Sequence, residues 1–180
     1  MILDALVTFV PIQTPLSIVG AASATFASLV YDMLGVGVGQ APTNIIGTKT
    51  VFGTDLGVGG KRPELNITIG TGVIAVASST LKIALQAAED SGTPTYQPGT
   101  WIDIDSEDNI AAANLVAGAV LFRTPFIPQF PANFQARYLR LLFSISSLGA
   151  FSAGTIGSAL VTMVRDDQAN KFAAKNFTVA

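Results

Sequence analysis

The sequence predicts an all-β fold, a single jelly roll or β-sandwich of about eight antiparallel strands, with one extended loop and a terminal arm. Three observations lead there. Apolar residues alternate with polar ones over short runs, which is the period of a half-buried strand. No long stretch sets apolar residues at i, i+3, i+4 and i+7 against a charged face behind a cap. Breaks rich in Gly and Pro separate the runs, as in sandwiches and jelly rolls.

Taken in order, the first short candidates are Ala5 to Val10 and Ser28 to Tyr31. In "ELNITIG", Leu65, Ile67 and Ile69 share one face, with Glu64, Asn66 and Thr68 on the other. "TLKIALQAA" repeats the pattern with Leu81, Ile83, Leu85 and Ala87 against Lys82, Ala84, Gln86 and Ala88. Two further candidates are Thr100 to Ile104 and Val120 to Thr124. From Tyr138, the residues Leu139, Leu141, Phe143 and Ile145 alternate with Tyr138, Arg140, Leu142 and Ser144.

The stretch "LLFSISSLGAFSAGTIGSALVTMV", residues 141–164, is uncharged and bracketed by Arg140 and Arg165. That is the outline of a membrane-spanning helix, for which roughly 20 apolar residues suffice. Three glycines and seven Ser or Thr residues argue against it. The better reading is a hairpin. A second strand follows a Gly/Ser turn at 146–154, with Ile156, Ser158, Leu160, Thr162 and Val164 alternating with Gly157, Ala159, Val161 and Met163.

The 180 residues suit one domain, 1–180. Charged residues make up 12%, about half the usual share, so much of the surface is neutral. A net charge of -2 gives no basic footprint, and no nucleic-acid partner is expected. There is no Cys and no His, which removes thiolate chemistry, the commonest general base and the commonest zinc ligand. No membrane partner and no cleaved signal are expected, because Asp4 is the only early charge and Pro11 and Pro15 interrupt the apolar start.

Four motifs invite chemistry. Gly70, Gly72 and Ala75 with Glu89 and Asp90 imitate a dinucleotide fingerprint, but the intervening residues already form a strand and leave no helix. "DIDSEDN" gathers Asp103, Asp105, Glu107 and Asp108, hard ligands for calcium. Asp108 stands where the turn glycine of a calcium loop belongs and Asn114 where its bidentate Glu belongs, so the expectation is a solvated acidic loop after a strand, with no metal and no cofactor. The same carboxylates are the only candidates for a hydrolase. Trp101, Tyr96 and Tyr138 suggest a sugar-stacking platform or, more simply, strand padding.

Two regions stand apart from the strands. Residues 35–60 hold eight of the 17 glycines and read as a Gly-rich insertion or loop. Residues 166–180 have no strong period and read as a C-terminal arm, in which Phe172 and Phe177 among Lys171 and Lys175 are the candidate partner-binding anchors.

Three pieces of the chain, in order, carry a resemblance. They are "MILDALVTF"; "TDLGVGGKRPELNITIGTG" leading to "TLKIALQAAEDSG"; and "QARYLRLLFSISS" followed by "GTIGSALVTMVRDDQANKFAAKNFTVA". Together they resemble the capsid cement, or decoration, proteins of short-tailed bacteriophages, over residues 1–9 and most of 54–180. Residues 10–53 depart from the pattern in length and glycine content. The resemblance implies a structural virion protein rather than an enzyme. It would be made in the host cytoplasm, sit on the capsid exterior, bind the major capsid protein and bridge capsomers, and associate as a homo-oligomer, dimer or trimer. The alternative is a carbohydrate- or receptor-binding jelly-roll module of a virion.

Overall fold

Alternating runs become stable strands only where a second apolar face buries them. The computed structural model describes residues 2–33, 63–76, 78–91, 97–125 and 130–163. The expected insertion at 35–60 and the arm at 166–180, with Lys171, Phe172, Lys175 and Phe177, lie outside the described residues.

One antiparallel sheet contains β1 (Ile2–Val10), β2 (Leu16–Ser17), β5 (Pro63–Ile69), β9 (Val120–Pro125) and β12 (Thr155–Met163), ordered β1-β12-β5-β9 with β2 also on β12. The second contains β3 (Thr25–Ala27), β4 (Tyr31–Asp32), β7 (Thr80–Asp90), β8 (Pro98–Ala111) and β10 (Tyr138–Ile145), ordered β3-β10-β7-β8 with β4 also on β10. A short third sheet pairs β6 (Ile74–Ala75) with β11 (Phe151–Ala153). Among the described residues the only helical element is a 3-10 turn at Ala112–Asn114, and no helix is long and apolar enough to cross a membrane.

The two large sheets pack into an all-β sandwich. Leu65, Ile67 and Ile69 of β5 and Ile156, Ala159 and Val161 of β12 meet Leu81, Ile83 and Leu85 of β7 and Leu139, Leu141, Phe143 and Ile145 of β10 in one core. With β3 and β4 taken as one interrupted strand, the eight strands follow the order 1-8-3-6 in one sheet and 2-7-4-5 in the other. Consecutive strands thus mostly alternate between the two sheets, and the first lies beside the last.

Four expectations need correction. β10 and β12 are strands, but they belong to different sheets and form no hairpin; the segment between them crosses the sandwich and contributes β11. β12 does not keep one alternation, because a bulge between Ile156 and Ser158 shifts its register, so Ile156, Ala159 and Val161 share the core. The bulge sits where two backbones touch: a Cβ on Gly157 would lie 2.8 Å from the Gly70 Cα. Of the expected strand at Ser28 to Tyr31 only Tyr31 lies in a strand, β4; residues 28–30 are a gap between β3 and β4, where the Ser28 Oγ accepts a hydrogen bond from the Leu141 N–H at 2.8 Å. Finally, "DIDSEDN" is no loop. It lies within β8, the edge of its sheet.

Candidate interaction surfaces

Antiparallel pairing brings four connections to one end of the sandwich: 11–24, 70–79, 112–119 and 146–154. None of them contains a charged residue. They are bound together as a cap. Gly20 and Phe151 exchange backbone hydrogen bonds at 3.0 Å, the Ile18 N–H donates to the Gly154 carbonyl at 3.1 Å, and the Val73 N–H donates to the Leu115 carbonyl at 2.9 Å. The Ser152 hydroxyl donates to the Ile74 carbonyl, and the Thr155 Oγ1 accepts from the Thr71 N–H at 2.8 Å.

Strand alternation then sorts the cap into two faces. Ile18, Leu115 and Phe151 turn into the core. Val19, Ile74, Val76, Val116 and Leu148 stay outside, with Ile74 at 65% and Leu148 at 66% exposure. A hydrogen-bonded, charge-free face bearing exposed aliphatic side chains is suited to contact with another protein, because little backbone ordering remains to oppose binding.

The outer face of the β3-β10-β7-β8 sheet mixes polar and apolar side chains arranged in rows. Tyr138, Ala88 and Trp101 align across β10, β7 and β8, and Arg140, Gln86 and Asp103 form the next row. Leu142 and Ala84 follow, and then Ser144 and Lys82. Small alanines on β7 let the Arg140 side chain cross the strand and stack on Trp101, 4.1 Å from the ring centroid. Its Nε donates to the Gln86 Oε1 at 2.8 Å, and the Gln86 amide donates to the Asp103 carboxylate at 2.7 Å. Gln86 is thereby satisfied although buried.

That amide hydrogen bond, followed by Lys82, holds the Asp103 carboxyl below its ordinary range. The Lys82 ammonium sits 3.2 Å from Asp103 and 3.5 Å from Asp108, and the Asp103 hydrogen bond pushes its pKa up. Among the described residues Arg140 has no such neighbour, and burial pushes its pKa down. A cleft of about 380 Å³ opens at the far end of this face, lined by Thr80, Lys82, Asp108, Asn109, Ser144 and Ser146.

At the end of the sandwich opposite the cap, Arg137 grips Asp32 through two hydrogen bonds of 3.0 Å and Asp90 at 2.6 Å. Asp32 is the first cause of a raised Arg137 pKa. These ion pairs tie β4, β7 and the approach to β10 together.

The sequence candidates fare unevenly. Asp103 and Asp108 meet at Lys82, while Asp105 and Glu107 are exposed along the β8 edge; among the described residues no three Asp or Glu side chains converge. Charges along an edge strand discourage pairing with a foreign strand. Trp101 has Arg140 against one face and Tyr138 is buried, so neither forms an open platform; Tyr96 lies outside the described residues. The dinucleotide imitation dissolves into a loop and β6. Sequence reasoning missed the charge-free cap. Its signal was present as four uncharged stretches, but only the strand order shows that they meet.

No family model and no curated protein matches this chain.

Proposed function

We propose that the chain is a structural protein of a bacteriophage virion, which binds the outside of the capsid, bridges capsomers and stabilises the shell without catalysing a reaction. The observation that carries the reading is the charge-free cap. An interface core depleted of charge is what protein partners bury most readily. Covering the exposed parts of Val19, Ile74, Val76, Val116 and Leu148 is worth about 1 kcal/mol each. Modest single contacts suffice when many copies act on one closed shell. The ordered resemblance of three sequence pieces to capsid cement proteins supplies the identity of the partner, the major capsid protein.

The test is Ile74→Asp combined with Leu148→Asp. Both side chains are exposed, so the melting transition should stay close to wild type, within about 0.5 kcal/mol per substitution. Co-sedimentation with undecorated shells should fall sharply. Unchanged attachment by the folded double variant would overturn the assignment of the cap.

A further inference from the structure

Among the described side chains three are cationic: Lys82, Arg137 and Arg140. Lys82 sits between Asp103 and Asp108, and Arg137 between Asp32 and Asp90. Arg140 meets no carboxylate among the described residues. Gln86 occupies its Nε and Trp101 its face, and among the described residues Nη1 and Nη2 have no acceptor. A guanidinium fixed in this way, half-buried and with no counter-charge among the described residues, is preorganised for a further carboxylate.

A suitable carboxylate is present on the same face. Asp108 borders the open cleft, its side chain is 55% exposed, and its contact with Lys82 is the longer of the two that Lys82 makes. Within one chain the two groups are kept apart by the sheet. The Arg140 row stands one step to one side of the Leu142–Ala84 row, and the Ser144–Lys82 row, beside Asp108, stands one step to the other.

We propose that a second copy of the chain packs on this face about a two-fold axis lying across the strands at the Leu142–Ala84 row, so that each Arg140 enters the other copy's cleft and binds its Asp108. Such a rotation reverses strand direction, brings each Arg140 row over the other copy's Lys82 row, and keeps β8 over β8. Because the Arg140 guanidinium already lies over β8, on Trp101, it meets the second copy's β8 near Asp108. The contact is reciprocal, as a two-fold interface requires. Half-buried Leu142 occupies its centre and polar groups its rim.

The same rotation sends the two charge-free caps to opposite ends of the dimer, giving one particle two attachment points. In this respect the inference deepens the bridging reading and rests on it. The interface itself stands on the pairing of Arg140 with Asp108.

Sedimentation of the full chain over a concentration series tests it, with the emission of Trp101, the only tryptophan, as a local reporter. Wild type should form dimers. Arg140→Glu and Asp108→Arg should each weaken dimerisation by about 100-fold or more, since each places like charges at both contacts. An equimolar mixture of the two variants should dimerise again, because each contact then pairs opposite charges. That restoration also shows that both variants are folded.

A wild type that stays monomeric, a trimer as its final state, undiminished dimerisation of either variant, or a mixture that fails to restore pairing would each overturn the interface. Shell co-sedimentation of Ile74→Asp with Leu148→Asp is scored separately. A double variant that dimerises but does not attach supports the two surfaces as independent, so failure of one reading is distinguishable from failure of the other.

Discussion

The two ends of this sandwich use opposite chemistries for the same task of tying connections together. At the cap, backbone and hydroxyl hydrogen bonds join four uncharged loops, and the side chains left outside are neutral, several of them aliphatic. At the other end, Arg137 links Asp32 and Asp90, and the Glu89 carboxylate accepts from the Gln135 N–H at 2.7 Å. The difference teaches that cross-linking loops does not require charge. Where charge is omitted, the outer face stays free to be buried without stranding an ion.

The comparison breaks first at Gly154. Its φ of +141° is a conformation that side chains rarely adopt, and a Cβ there would lie 2.7 Å from the Val73 Cγ2. Gly154→Ala should cost about 2 to 4 kcal/mol by urea denaturation, through backbone strain and overpacking. Hydrogen exchange should quicken at Ile18 and Thr155, beside the substitution, more than at Arg137. Equal loosening of both ends would show that the cap is not a separate unit.

A smaller and more local effect is expected at the charged end. Arg137→Met keeps the length of the stem but leaves Asp32 and Asp90 facing each other without their cation. Exchange should quicken at Met33 and Arg137, whose backbone N–H groups donate to the Arg137 and Ala88 carbonyls, while the cap amides keep their protection. In wild type, added salt should loosen this end and leave the uncharged cap unaffected.

How far these surfaces were legible in the sequence follows from the range of the forces involved. Period-two runs located β5, β7 and β10, because burial of one face acts on every second residue locally. Whether β10 pairs with β12 is decided by partners far along the chain, and the apolar pattern of residues 141–164 is the same for a hairpin and for a crossing between sheets. The bulge in β12 depends on Gly157 meeting Gly70, a contact between residues 87 positions apart that periodicity in one strand cannot report. The acidic run reads as a solvated loop in the sequence, and Asp is depleted in strands generally. On an edge strand that penalty vanishes, since the carboxylates reach water. Arg137 just before β10 and Arg140 within it are plain in the sequence, but their different partners depend on the register of β7, β8 and β4.

The smallest effect concerns pH on the outer sheet face. Asp103 has a folded pKa below its ordinary value, with the Gln86 amide as the leading cause, so its contribution to stability is present above about pH 4 and is lost as pH falls through the folded value. Lys82 has the opposite shift. Its contribution is present below its ordinary pKa and is lost only as pH rises through the raised one. Gln86→Leu should move the carboxyl titration of Asp103, followed by carbon NMR, upward toward the ordinary range. An unmoved midpoint would assign the shift to Lys82 alone.

The place of β12 in its sheet also bears on how the protein is made. The last strand described is an interior one, with β1 and β2 on one side and β5 on the other. On a ribosome adding about 5 to 20 residues per second, β1 therefore waits on the order of ten seconds for its neighbour. During that interval β1 and β5 expose edges with nothing to pair against, and the large loop closed by β1–β12 pairing adds an entropic cost that slows folding. The sandwich is completed only once β12 has been made, so chains truncated before β12 are expected to enter aggregates or proteolysis rather than to compete with complete copies for partners.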